Sequence, residues 1–424
     1  MRMGYRAAAA ILTLSVSMLS SRASDFLTET VTSEGNERIE AADGGNVSVS
    51  GELSVGARLH FGPPQFPGQV DGLMPLLEGS VRLDYESDDG KNRVVFEPYG
   101  RLDLRADNDV IDLRDAYILH RGDNWDILAG VHTLFWGVTE ARNLVNVINQ
   151  RDLGDDVVED RALGQPMVNL NWSSPGAGTF SVYGMFGFRT RDHPDMADRL
   201  RPAMVINDSA AMFEAGGTAR HLGFAARYAN HFDLGAGGLD LGVQYFHGTS
   251  REPRFVMVGP DVVPFYDVMD QVGVDAVFAT GDLQLKFEGI WRHANNLDFL
   301  ATVAGFEYTV FTDAAGGVDI GFLGEYLYDG RPSNPALAPP TAFQNDLFGG
   351  LRLSLNDVGG TQFKAGFTYD LDNAAKSLSV DFETRLRDDL LLSIEGRTFW
   401  DMPASAFAIP HEDSFVFGKI TKFF

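Results

Sequence analysis

The 424 residues carry 59 acidic against 34 basic side chains, 48 aromatics, 46 glycines and no cysteine. Without cysteine there is no disulfide framework, no thiolate metal site and no cysteine nucleophile, and no apolar run is long enough to cross a bilayer as a helix. A formal charge of -25 would repel phosphate, which sets nucleic acid aside as a partner.

In chain order, residues 1–23 predict a cleaved secretory signal. Arg2 and Arg6 precede an apolar, small-residue run over 7–19, and Ser21-Arg22-Ala23 is a small-x-small cleavage site. Its removal takes three arginines and no acid, leaving the mature chain at -28. Residues 24–46 hold Asp25, Glu29, Glu34, Glu37, Glu40 and Asp43 against Arg38. With so few large apolar side chains they predict a mobile, acidic periplasmic lead-in, or a small plug.

At Val47 the sequence takes up a period of two. Val47, Val49, Leu53, Val55, Ala57, Leu59 and Phe61 alternate with Ser48, Ser50, Glu52, Ser54, Arg58 and His60, which gives a strand with one apolar and one polar face. The pattern recurs with Leu77, Val81, Leu83 and Tyr85 against Glu78, Ser80, Arg82 and Asp84. It appears again in Leu378, Val380, Phe382 and Leu386 against Ser379, Asp381, Glu383 and Arg385. Many runs exceed the five or six residues usual in a soluble sandwich and reach the length of a tilted membrane-spanning strand.

Gly/Asp/Asn-rich punctuation at 88–90, 121–124, 173–178, 233–238, 281–282, 313–317, 356–360 and 388–389 predicts eight tight turns. Between them fall nine connections, at 62–75, 106–108, 138–165, 190–217, 251–267, 295–297, 330–343, 373–375 and 401–412. Short turns on one side and long loops on the other describe an all-β, antiparallel, up-and-down transmembrane barrel in the bacterial outer membrane. The strand number expected is 18, with 16 open. Trp125, Trp172, Trp291 and Trp400 fall near strand ends in the lipid-facing phase, as a membrane-interface girdle requires. Trp136 takes the lumen phase, where a ring is more often packing for a loop than a ligand platform.

The chain ends Phe415-Val416-Phe417-Gly418-Lys419-Ile420-Thr421-Lys422-Phe423-Phe424. This resembles the C-terminal signal of Gram-negative outer-membrane porins, which implies recognition by the barrel-assembly machinery; Lys422 stands where that signal usually has an apolar residue. Leu134-Phe135-Trp136-Gly137, followed by Leu144-Val145-Asn146-Val147-Ile148-Asn149-Gln150-Arg151-Asp152, is similar to a large, poorly characterised family of proteobacterial porin-like proteins. In that family Trp-Gly leads into Ile-Asn-Pro-x-Asp, and Gln150 replaces the proline.

A barrel of this size leaves a lumen, so the expected function is a channel for passive passage of small hydrophilic or amphipathic solutes. The segment 138–165 is its expected constriction. Leu144, Val147 and Ile148 predict a short helix against the inner wall, leaving Glu140, Arg142, Arg151, Asp152, Asp155, Asp156, Glu159, Asp160 and Arg161 to line the narrowest section with an acidic, cation-favouring bias. By phase, Arg93, Glu97, Arg101, Asp103, Asp381, Glu383, Arg385, Glu395 and Arg397 belong to the pore wall. So do Arg105, Glu288 and Glu325, and the whole set reads first as salt-bridge ladders. Lipid and lipopolysaccharide surround such a barrel, and it is monomeric or trimeric. Neither an EF-hand spacing nor an HExxH or Gly-x-Ser-x-Gly motif occurs, so no metal, cofactor or catalytic residue is expected. The alternatives are an export channel for a polymer or hydrophobic product, and a barrel enzyme such as a lipid hydrolase.

Overall fold

The computed structural model describes residues 38–40, 45–106, 108–153, 161–215, 221–311, 317–403 and 409–424. The leader and most of the lead-in lie outside these residues.

Eighteen long antiparallel strands form one continuous sheet. The first five are β1 (Asn46–His60), β2 (Leu73–Glu86), β3 (Asn92–Asp103), β4 (Val110–Arg121) and β5 (Trp125–His132). Next come β6 (Gln165–Ser174), β7 (Gly178–Met185), β8 (Gly223–Asp233), β9 (Gly238–Thr249), β10 (Val268–Thr280), β11 (Leu283–Ala294) and β12 (Leu297–Phe311). The circle is completed by β13 (Asp319–Asp329), β14 (Asn345–Ser354), β15 (Gln362–Asp370), β16 (Lys376–Arg387), β17 (Leu390–Trp400) and β18 (Phe415–Phe423). The last strand pairs with the first, from Glu52 against Phe423 to His60 against Phe415. Closure leaves no unpaired edge, which is what an all-β span needs in hydrocarbon. A three-residue strand, Arg38–Glu40, adds antiparallel to the start of β1, at the end of the barrel that carries the short turns.

The two faces of each strand carry out what the alternation dictates. In β1, Leu53, Val55 and Leu59 are exposed outward whereas Ser50, Ser54, Arg58 and His60 are buried inward. Phe96, Leu102, Ile118, Phe306, Phe322 and Leu347 continue the exposed apolar exterior around the barrel, a surface that only lipid can cover favourably. Eight short turns at one end and nine connections at the other match the predicted asymmetry. Tight bends use the residues able to take a left-handed backbone, such as Asn295 and Asn296 (φ 51° and 56°) in the two-residue link between β11 and β12.

Three expectations need correction. The strand carrying the Trp-Gly motif stops at His132, so Phe135 and Trp136 belong to the following loop, because the chain turns inward there. That loop contains no helix among its described residues; the backbone N–H groups of Val138, Thr139, Glu140, Ala141, Leu144 and Val145 donate to side chains of the wall. The first connection ends at Leu73, where β2 already pairs with Leu59.

Candidate functional site: a lumen divided by an inward loop

The connection between β5 and β6, described over 133–153 and 161–164, enters the barrel and crosses to the opposite wall. Its course is fixed by buried carboxylates aimed at backbone N–H groups. Glu288 of β11 accepts from Val138 N at 2.7 Å and from Thr139 N and Oγ1 at 3.1 and 2.9 Å. Its other oxygen accepts from Leu144 N at 2.6 Å and Val145 N at 3.2 Å. Glu325 of β13 holds Glu140 N and Ala141 N at 2.7 and 2.9 Å. Carbonyls are met in turn: Gln244 donates to Val145 O, and the Arg251 guanidinium to Ile148 O. A buried, non-helical segment must have all its polar groups answered, and these wall residues answer them. Glu288 and Glu325 therefore pair with the loop, which corrects their reading as rungs of a salt-bridge ladder.

The loop's apolar stripe packs against the inner wall. Trp136, Leu144, Val145, Val147 and Ile148 pack with Met167, Tyr183, Met185, Phe246, Met269, Ile290 and Leu327, all from inward positions of β6–β13. Trp136 meets Tyr183 edge-on at 5.4 Å and takes the Arg227 guanidinium over its face, the loop-packing role expected of it. Burying five large side chains contributes on the order of 10 kcal/mol before the entropy of ordering the loop.

Charge gathers on β14–β18 and β1–β4, where a second apolar cluster of Leu76, Phe399, Phe415 and Phe417 also packs beneath Leu200. Arg82 bridges Glu97 at 2.5 Å and Asp115 at 3.2 Å, and Arg93 pairs with Asp84. Asp381 pairs with Arg397 at 2.6 Å, and a chain that starts on the other side at Lys286 of β11 and Glu307 of β12 reaches Arg352 of β14 and Glu140 with contacts of 2.7, 2.9 and 3.0 Å. Glu383 and Arg385 face inward and are nonetheless exposed, while Glu395 sits opposite Asp381. Asp103 instead caps the turn after β3, accepting from Arg105 N and Ala106 N. Arg105 lies beyond that strand, bonded to Leu73 O and Asp71 O, so neither residue lines the pore as phase alone suggests.

The predicted constriction residues divide. Glu140 reaches the charged wall at Arg352. Asp152 is buried against Arg101 at 2.6 Å, and Arg161 pairs with Glu78 at 2.7 Å and with Tyr99, so these two pin the loop's return to β2 and β3. Arg142 and Arg151 turn away from the charged strands, and burial pushes both guanidiniums below arginine's ordinary range, Arg151 to about 10. Asp155, Asp156, Glu159 and Asp160 lie outside the described residues, and with them the acidic bias.

Above the lumen, the connection after β7, described over 186–215 and 221–222, lies across the mouth. Its Arg199 is buried against Asp413 at 2.8 Å and donates to Gly62 O, Pro63 O and Glu412 O. On the other side, Met212–Phe213 pairs with the hairpin that follows β9. Trp125 and Trp172 stand opposite each other at the turn end of β5 and β6, exposed outward. Trp291 and Trp400 lie at the loop ends of β11 and β17. Three of the histidine–aspartate pairs, His231–Asp240, His247–Asp270 and His293–Asp298, are direct cross-strand partners. No cluster of three or more metal-ligating side chains occurs among the described residues. Reading by phase overlooked Glu252, Asp329, Arg331, Gln244 and Gln271. The last two carry a signal, a polar residue at an inward position beside apolar ones, but their partner is a loop distant in sequence.

No protein-family profile matches this sequence, and no curated protein is similar to it. Solved structures do resemble it. OccAB1 of Acinetobacter baumannii superposes with a TM-score of 0.51 at 10% identity, covering 92% of this chain and 98% of that one. OpdQ of Pseudomonas aeruginosa gives 0.50 at 13%, covering 90% and 97%. The fold is that of outer-membrane porins. Wzi of Escherichia coli, described as a carbohydrate-binding β-barrel involved in group 1 capsule assembly, also gives 0.50 at 10%, covering 88% and 84%. At these identities the likeness establishes the barrel fold alone and leaves setting and chemistry to the residues.

Proposed function

We propose that this protein is an outer-membrane channel through which small hydrophilic solutes diffuse along the charged part of its lumen, with the inward loop of residues 133–164 as the constriction. The observation that carries this reading is the uneven lining of the lumen. The loop's apolar stripe packs on the inner faces of β6–β13, while inward charges such as Glu383 and Arg385 stay exposed elsewhere on the wall. Paired charges of both signs lower the cost of moving a polar solute past the wall without binding it tightly. The tryptophans at both strand ends suit the headgroup levels. The final strand, closed on β1 by reciprocal bonds between Phe424 and Gly51 at 3.1 Å, suits recognition by the barrel-assembly machinery.

Single-channel recording of the mature protein in a planar bilayer tests the proposal. Stable, discrete steps in potassium chloride are the expected result, and electrical silence across the voltage range would overturn it.

A further inference from the structure

Beneath the loops that cover the mouth, three guanidiniums from three separate parts of the chain converge on one carboxylate, and a fourth adds its field. Glu252, at the start of the connection after β9, lies 2.6 Å from Arg292 of β11, 3.3 Å from Arg331 and 3.6 Å from Arg142 of the inward loop. Arg191, from the connection after β7, adds its charge to the same group. Asp329 supplies a second carboxylate, 2.8 Å from Arg331 and 3.1 Å from Arg142. Four cations thus share two anions among the described residues, in surroundings that strip them of water. Phe299 lies under Arg292 and Arg331, and Phe343 under Arg142, at 5.0–5.8 Å, which fixes the planes of the guanidiniums.

We propose that Arg142, Arg191, Arg292 and Arg331 form a binding site for a small oxyanion, carboxylate or phosphate, and that Glu252 occupies this site from within the chain until a solute displaces it. Two observations distinguish this from a structural ion-pair cluster. The first is exposure: the arginine side chains are between 0% and 14% accessible, apart from the partly buried Arg191, whereas that of Glu252 is 27% accessible. The anion therefore approaches from the water side and can leave without unpacking the cations. The second is charge: burial alone would push the Glu252 carboxyl up, yet Arg331, Arg292, Arg142 and Arg191 hold it well below the usual carboxylate range, so the field favours any anion placed there. Planar guanidiniums offer the paired donors that carboxylates and phosphates accept best. Because Glu252 ties the inward loop to the connections above it, its displacement would loosen the covering of the lumen. That part rests on the channel reading; the binding site itself does not.

Calorimetric titration of the detergent-purified protein with succinate, inorganic phosphate and neutral succinamide tests the site independently of conduction, and the same additions during single-channel recording test its coupling to the pore. Succinate, phosphate or both should bind and interrupt the current, and succinamide should do neither. Glu252→Gln removes the internal competitor and should tighten oxyanion binding about tenfold, while Arg191→Ala should weaken it about fivefold, the scale of one charge-assisted contact. Should Glu252→Gln fail to fold, Arg191→Ala and the wild-type titrations decide. Channels that conduct potassium chloride normally in a protein that binds neither anion would overturn the site and leave the channel reading standing. Silent bilayers with intact, variant-sensitive anion binding would do the reverse.

Discussion

Glu288 shows how much one residue can govern in this barrel. An ionised carboxyl buried in the wall is costly unless its lone pairs are answered, and here the donors come from the loop it positions: three on Oε1 and two on Oε2. The Glu288→Gln variant keeps the shape but turns an amide NH2 toward donors on one side. Leaving buried N–H groups unanswered should weaken loop docking by about 2–4 kcal/mol. The expected outcome is a larger, flickering single-channel current with a lower melting temperature in detergent; an unchanged current trace would show that the loop does not set the bore. Glu288 was legible as an inward residue because it alternates with Phe287 and Gly289. Its partner was not, since 143 to 150 residues separate it from the amides it accepts and no local pattern records that distance.

Among the elements, the connection over the mouth responds most directly to pH. Its Asp198 is buried and accepts from Asn108 Nδ2 at 3.1 Å and from Asp195 N at 2.7 Å. Burial outweighs these bonds and pushes its carboxyl up to about 7; burial likewise takes Asp413, in the last connection, up to about 6 despite Arg199. A carboxyl raised on folding binds its proton more tightly in the folded state, so stability increases as pH falls from 8 toward 5 and is lost as pH rises through 6 and 7. Resistance of residues 186–215 to limited proteolysis should therefore be greater at pH 5 than at pH 8. Asp198→Asn, neutral throughout, should flatten much of that difference. Equal cleavage at both pH values in the wild type would contradict the assignment. The element boundaries themselves were readable wherever turn chemistry was strong, as at Asp388 and Asp389. They failed at Trp136, where alternation continues in the sequence although the strand has ended, because a chain entering the lumen meets an apolar wall on one side and water on the other, much as a strand does.

For the whole molecule, the decisive feature is that an 18-stranded cylinder holds its own loop against its inner wall. Excising residues 138–148 behind a short glycine linker should raise conductance severalfold, because the apolar cluster on the inner faces of β6–β13 would lose its cover. It should also promote aggregation during refolding, as Met167, Met185, Phe246 and Met269 become exposed. Conductance equal to the wild type would place the narrowest section elsewhere.

The sequence alone determined the barrel, the side on which the long connections lie and the outward apolar residues, and narrowed the strand number to 18 or 16, because a two-residue period and turn chemistry act between near neighbours. Only the tertiary structure decided that the loop after β5 enters the lumen, that Glu288 and Glu325 hold its amides, and that four arginines gather around Glu252. Those arrangements depend on which walls of a closed cylinder face each other, and facing across a lumen has no counterpart in the spacing of residues along the chain.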